Sequence, residues 1–373
     1  MKDITMTPLR HVPFPAIGEF RKVIKYIHEY CNYHRLVTKP TLRFLGTVKL
    51  HGSNASIVLQ RGGSIYAQCR EHVLNEEQRL NGFYDFVEAT RAFWQGLLEG
   101  VLAQPEHAKT DTIVLYGEWC GGPINRNIAI TDLPQMFVLF KLKSQVAGIV
   151  KQDDVEQPGY VSTYHPLAAL HQLWLTHISS SEDERVTSTV YSVSQFDQYV
   201  ITVDFNSPQE MQNRLGDITN AVEKQCPAGR YFGRDGVGEG VVWSVFEPND
   251  LPFRTDNLMF KVKGQKHSDT NVKVLATVDV ETITSHREFA DMVVTEHRLE
   301  KGVEMLRHLT STSAEVFTHA NTGAFVRWVL DDVKKEQSDT IAENGLDLKS
   351  VLPIIAQRSK QWFISHIPQD AVA

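Results

Sequence analysis

The chain has 373 residues, 42% hydrophobic and 22% charged, a balance that excludes wholesale disorder and leaves room for two or three domains. No run approaches the roughly 18 consecutive apolar residues of a spanning helix, and Met1 to Pro15 shows no apolar stretch of the secretory kind. Lys plus Arg total 38 against 45 Asp plus Glu, so the net charge of −7 argues against indiscriminate coating of nucleic acid while allowing a local basic groove.

Phe20, Val23, Ile24 and Ile27 recur at helical spacing and predict a helix over Gly18 to Tyr33. Strands are expected at Leu42 to Lys49 and Ala55 to Gln60, with Gly62-Gly63 as a hairpin turn and Ser64 to Arg70 as the returning strand. One wide apolar stripe, from Phe83 through Val87 and Trp94 to Leu98, predicts a helix over Gly82 to Leu102. Buried-type strands follow at Thr112 to Trp119 and Met136 to Lys143. Residues 147–203 combine a helical pattern near Pro166 to His177 with a polar cluster at Ser179 to Arg185, and could form an insertion between two strands of one sheet. Pro208 to Gln225 reads as a helix with proline in its first turn, and Gly238 to Glu247 and Asn257 to Lys263 read as strands. From about Thr282 glycine becomes sparse, and helical patterns cover Ser285 to Leu309, Ala314 to Lys335 and Leu348 to Ile364. The expected class is α+β: a mainly antiparallel mixed domain over 1–270 and a small all-helical domain over 271–373.

Chemistry concentrates in Gly46-Thr-Val-Lys-Leu-His-Gly-Ser-Asn-Ala-Ser56. Lys49 ends a strand, His51 and the turn glycine Gly52 follow, and Asn54 opens the next strand. A strand-end lysine can enter a pocket, where burial or neighbouring cations lower its pKa from about 10.4, and only the neutral amine attacks phosphorus or carbonyl centres. Taken alone, Lys49 reads better as an ordinary edge lysine before a glycine turn, because short patterns recur by chance. Further along, Tyr116-Gly-Glu118 sets a carboxylate near a strand end, and Phe140 lies on another buried strand. Glu239 enters an apolar strand through Gly240-Val-Val, while Lys261 and Lys263, two apart, share one side of a strand. One nucleophilic lysine, two acids, a stackable ring and paired lysines can surround a purine nucleotide, a divalent metal and a phosphate.

The ordered set Lys49-x-His51-Gly52-x-Asn54, Tyr116-Gly-Glu118, Phe140-Lys-Leu, Glu239-Gly-Val-Val and Lys261-x-Lys263 resembles the covalent nucleotidyltransferase superfamily of DNA ligases, RNA ligases and capping enzymes. Its His-Gly-x-Asn form is similar to the RNA ligase 2 type, whereas DNA ligases and capping enzymes usually carry Asp-Gly, and Arg in place of Asn54. The resemblance implies an ATP-grasp-like nucleotidyltransferase fold and an ATP-dependent RNA ligase. Such an enzyme works through lysyl-AMP and RNA-adenylate with Mg²⁺ (or Mn²⁺). It implies Lys49 as nucleophile, Phe140 on the adenine, Glu118 on the ribose, Lys261 and Lys263 on the α-phosphate, and Glu239 as metal ligand with Glu118 as a second candidate. His51 would assist the metal or the leaving pyrophosphate, Arg70 would touch nucleotide and RNA, and Asn54 would serve the late steps. Val48, beside the nucleophile, completes the implied nucleotide-binding set. The implied partner is RNA with 3′-OH and 5′-phosphate ends at nicks or breaks, prepared where needed by an end-healing kinase or phosphatase, and a monomer is expected. DNA nick sealing, GTP-dependent capping and a non-catalytic nucleotide- or RNA-binding module are the alternative uses of such a chain.

Cys31, Cys69, Cys120 and Cys226 lie far apart without a CxxC pair, so no disulfide framework or structural zinc site is expected, and a reducing, cytoplasmic setting fits. The glycine-rich Gly233 to Gly240 lacks the context of a dinucleotide fingerprint or P-loop. His267, next to Lys266, reads as a solvated loop residue. Arg287, Arg298, Lys301, Arg307, Lys334, Lys335, Arg358 and Lys360, interleaved with acids, read as solvated helix faces.

Overall fold

The computed structural model describes residues 9–124, 127–152, 155–246, 251–268, 286–309 and 316–368. Thr282 and the element ends expected at Glu247, Ser285 and Ala314 lie outside them. In chain order the described strands are β1 (Thr41–Lys49), β2 (Ser53–Gln60), β3 (Ile65–Cys69), β4 (Thr112–Cys120), β5 (Met136–Gln152), β6 (Val155–Tyr164), β7 (Val190–Ser192), β8 (Gln198–Asp204), β9 (Gly240–Val245) and β10 (Met259–Lys263). They form a four-stranded antiparallel sheet, β10-β9-β1-β8, and a second sheet ordered β3-β2-β4-β5-β6, with β7 parallel to β5.

Alternation along each strand decides which side is core. Leu42, Phe44 and Val48 of β1, Val241 and Trp243 of β9, and Phe260 and Val262 of β10 are buried. They pack against α1 (Phe20–Tyr33) and other helices of the same core. The second sheet buries Ala55, Ile57, Leu115, Phe137 and Leu139 under α2 (Phe83–Ala89) and α3 (Arg91–Leu102). The stripe from Phe83 to Leu98 thus spans two helices rather than one. Thr90 breaks them, with φ −111° and ψ 16°. Its hydroxyl donates back to the Phe86 carbonyl at 2.7 Å and accepts from the indole N–H of Trp94 at 2.9 Å. Gly62 and Gly63 lie in the β2–β3 turn at φ 96° and 91°, the left-handed region that glycine adopts without a steric penalty.

Residues 147–203 contribute to both sheets. β5 continues past Lys143 to pair with β6, and α4 (Leu167–Leu173) and α5 (Glu184–Thr187) lead to β7 on β5 and to β8 on β1. Then α6 (Gln212–Lys224) and α7 (Pro227–Tyr231) precede β9. Beyond β10 the described chain is helical: α8 (His286–Val293), α9 (Glu296–Leu309), α10 (Thr322–Glu336), α11 (Ser338–Glu343) and α12 (Leu348–Ser365). Phe289, Val303, Phe325, Val329, Ile355 and Phe363 form their common core. Arg298, read from sequence as solvated, is instead fully buried, and its Nε donates to Asp332 Oδ2 of α10 at 2.8 Å. A buried guanidinium requires such a partner, and one 34 positions away leaves no local trace.

Candidate active site

The site is built where β1 leaves one sheet and β2 enters the other. The face of β1 opposite its core carries Thr47 and Lys49, and the register sets Lys49 level with Gly240 of β9 and Lys263 of β10. Thr47, Val242 and Lys261 form the next row. The middle of the first row is a glycine, and a Cβ there would stand 2.2 Å from the Val262 carbonyl. Glu239, the residue before, is 3% exposed, and its carboxylate lies between the two lysines. Lys49 Nζ donates to Oε2 at 2.7 Å, His51 Nδ1 is 3.3 Å from the same oxygen, and Lys263 Nζ is 3.4 Å from Oε1. Burial works to raise this carboxyl, but Lys49, Lys263 and the His51 hydrogen bond outweigh it and hold Glu239 well below the ordinary carboxylate range.

The second sheet supplies the opposite wall. Asn54 pairs with Glu118, and Ala55 with Cys69, so Arg70 falls level with Asn54 and Glu118 across β3, β2 and β4. Glu118 Oε1 accepts the Gly52 N–H at 3.0 Å and fixes the turn after His51. Only glycine fits there, since a Cβ would stand 2.5 Å from the Trp119 carbonyl and 2.7 Å from Cys120 Cβ. Phe140 is half-buried. Tyr116 pairs with Lys141 and Gly117 with Leu139, so Phe140 is the extra residue of a β-bulge, a device that re-aims a side chain. Val48, expected in the nucleotide-binding set, points its side chain into the core behind the sheet and away from Lys49 and Glu239.

Against an ordinary value of 4.5, burial raises the Glu118 carboxyl to about 7 even though Lys49 opposes the shift. Between those pH values the folded chain keeps a proton that the unfolded chain has released. Nucleotide-free protein should therefore lose stability as pH rises through this window, by at most about 1.4 kcal/mol per pH unit. Glu118→Gln should flatten that dependence in thermal melts, and an unaltered slope would remove Glu118 as its source.

The family model for RNA ligase matches residues 42–263, which contain every one of these groups. The chain belongs to the RNA ligase family. Among solved structures, this family member is similar to a Naegleria gruberi RNA ligase mutant with ATP and Mn, at 16% identity and TM-score 0.39 over 67% of this chain and 56% of that one. Another mutant of the Naegleria gruberi enzyme, with AMP and Mn, matches at 17% identity and TM-score 0.39, covering 67% and 55%. An archaeal ATP-dependent RNA ligase matches at 14% identity and TM-score 0.36, covering 95% and 64%. The chain thus spans just over half the length of the Naegleria ligases. No curated protein matches it.

A divalent metal fits the donors present. Glu239 and Glu118 offer the carboxylate oxygens that Mg²⁺ and Mn²⁺ favour, and the charges of Lys49 and Glu239 both act on Glu118. Among the described residues no group of three or more His, Cys, Asp or Glu could hold a metal by itself. Such an ion would therefore take further ligands from phosphate and water, the usual arrangement for Mg²⁺ in nucleotide sites.

Three features of the site escape the sequence. His267, expected to be solvated, is 7% exposed, because its ring sits 5.6 Å from His51 and 5.3 Å from His297 of α9. Burial keeps its imidazole neutral, lowering it to about 4. His51, Lys266, His267, His297, Glu300 and Glu304 line a cavity of about 530 Å³ between the turn after Lys49 and α9. Lys261 pairs with Glu336 of α10 at 2.9 Å, so the helical region reaches the row beside Lys49. These partners come from residues 296–336, where only solvated charge is visible in sequence. Among the described residues no helix is long and apolar enough to cross a membrane.

Proposed function

We propose that this chain is an ATP-dependent RNA ligase that joins 3′-OH and 5′-phosphate RNA ends through a lysyl-AMP intermediate. The observation that carries the reading is Lys49 Nζ held 2.7 Å from the buried Glu239 carboxylate, with Lys263 on the same carboxylate. An amine, an acid and a second cation are thus preorganised at one point of a cleft.

In the first step Lys49 Nζ loses one proton to solvent to become the neutral amine, bonds to the α-phosphorus of ATP and releases a second proton to solvent, while the α–β bridging P–O bond breaks and pyrophosphate leaves. Lys261 and Lys263 offset charge on the α-phosphate as compact point charges. Glu118 hydrogen-bonds the ribose, Phe140 stacks on the adenine, and His51 orients Glu239 and the leaving group. When bound at Glu239, with Glu118 as a second ligand, Mg²⁺ (or Mn²⁺) would supply positive charge to the phosphates. In the second step an RNA 5′-phosphate oxygen attacks the lysyl-AMP phosphorus, the P–N bond breaks, and Lys49 is reprotonated. In the third step an RNA 3′-OH attacks the activated 5′-phosphorus, loses its proton and expels AMP, leaving a phosphodiester. Arg70 and Asn54, level with Glu118, hold the RNA end in these later steps. An enzyme of this kind serves RNA repair or editing inside the cell, acting after any kinase or phosphatase that prepares the ends.

A nicked RNA duplex with a labelled 5′-phosphate tests the reading. With ATP and Mg²⁺ it should pass through RNA-adenylate to the sealed strand. Reaction only with GTP, or only at DNA nicks, would instead support capping or DNA ligation, and no reaction would favour the binding module. Asn54→Ala should slow sealing by about a hundredfold while leaving enzyme adenylylation within a few-fold of wild type. Equal loss of both steps would move Asn54 to nucleotide binding.

A further inference from the structure

Residues 9–18 precede the family-matched region and form a strap across one end of the cleft. The strap first runs along the cleft face of the second sheet. There Tyr66 Oη donates to the Arg10 carbonyl at 2.6 Å, and the Val12 N–H donates to Gln68 Oε1 at 2.9 Å. Gln68 Nε2 and Tyr116 Oη both donate back to the Val12 carbonyl, at 2.6 and 2.9 Å. A few residues later Gly18 bridges Phe260 of the other sheet, and its carbonyl accepts the Lys261 N–H at 2.9 Å. The strap therefore ties the two cleft walls together and lies between them at Phe14.

Phe14 sits between Pro13 and Pro15, whose rings fix φ and stiffen the chain on either side. Its ring centroid is 5.0 Å from Tyr116, 5.1 Å from Phe140 and 6.3 Å from Tyr164. Phe14 and Phe140 are each only half-buried, so this aromatic corner still presents surface to the cleft. The Phe14 and Phe140 planes meet at 71°. A flat base stacked parallel on Phe140 would lie at the same steep angle to the Phe14 ring, the tilt of the T-shaped arrangement aromatic pairs favour.

We propose that Phe14 is a nucleotide-binding residue, the end wall that meets the purine stacked on Phe140. This rests on the reading of Phe140 as the base-stacking ring. The strap does no chemistry, so its loss acts on nucleotide affinity rather than on the step at phosphorus.

The test follows AMP attachment by intact mass against ATP concentration, using the full chain as wild type, Phe14→Ala, Phe14→Leu and Phe14→Tyr. In Phe14→Ala the half-saturating ATP should rise about tenfold, with the rate at saturation within about twofold of wild type. Phe14→Tyr should restore the wild-type value. Phe14→Leu should behave as Phe14→Ala, because it keeps apolar bulk without a ring, and it carries the comparison if the alanine variant does not fold. An unchanged half-saturating ATP in the folded variants would overturn the proposal. So would a lowered one, which would show that the ring fills the purine site rather than lining it. Wild-type protein that takes up no AMP would defeat the ligase reading itself, and calorimetric titration with ATP would then still decide whether Phe14 contacts the nucleotide.

Discussion

Lys49→Ala should abolish AMP attachment, by more than roughly a thousandfold, in a protein that still folds. The side chain ends β1 and is partly exposed, and without it Glu239 keeps Lys263 and His51 as partners. The chemistry has no substitute, because among the groups around Glu239 only Lys49 is assigned to bond with phosphorus. Lys49→Arg sharpens the comparison. A guanidinium can hold the ion pair with Glu239 but does not deprotonate, so melting should stay near wild type while labelling by ATP disappears. Retained labelling in either variant would remove Lys49 from its role.

Glu239→Ala should lose both activity and stability. The carboxylate is 3% exposed and answers two half-buried ammonium groups, so its removal takes away the counter-charge they share. Breaking buried pairs in this way costs about 3–5 kcal/mol, which should lower the melting temperature by several degrees or more. Glu239→Gln keeps the volume and a hydrogen-bond acceptor without the charge. It should recover part of the stability and little of the adenylylation, because both the counter-charge and the metal ligand are gone. Thermal melts and AMP labelling of the two variants check this together. Wild-type melting with intact labelling in Glu239→Ala would show that the cluster carries neither load.

What was legible in the sequence follows from which interactions are local. Period-two alternation turns Lys49, Lys261 and Lys263 to one face while Val48, Phe260 and Val262 go to the core, and that pattern needs no knowledge of the partner strand. Gly52 and Gly240 mark close approaches that only a residue without Cβ tolerates, and both sit inside the motifs. Thr90 is different: the apolar stripe runs through it, and the break comes from a hydroxyl that serves Phe86 and Trp94 at once. The burial of His267 and Arg298 is not legible, because polar side chains reveal nothing about burial until their distant partners, His51 and His297 or Asp332, are known. The same holds for Phe140, whose aim depends on a bulge set by pairing with β4. Residues 147–203 read as separable for a similar reason, since β8 finds its partner β1 more than 150 positions earlier.

The central claim is that this cleft transfers AMP to Lys49, and peptide mapping of the intact protein after incubation with ATP and Mg²⁺ tests it most directly. Protein first freed of bound AMP should gain about 329 Da, carried by Lys49, and lose it on addition of nicked RNA with a 5′-phosphate. No gain, or AMP on any other residue, would contradict the account.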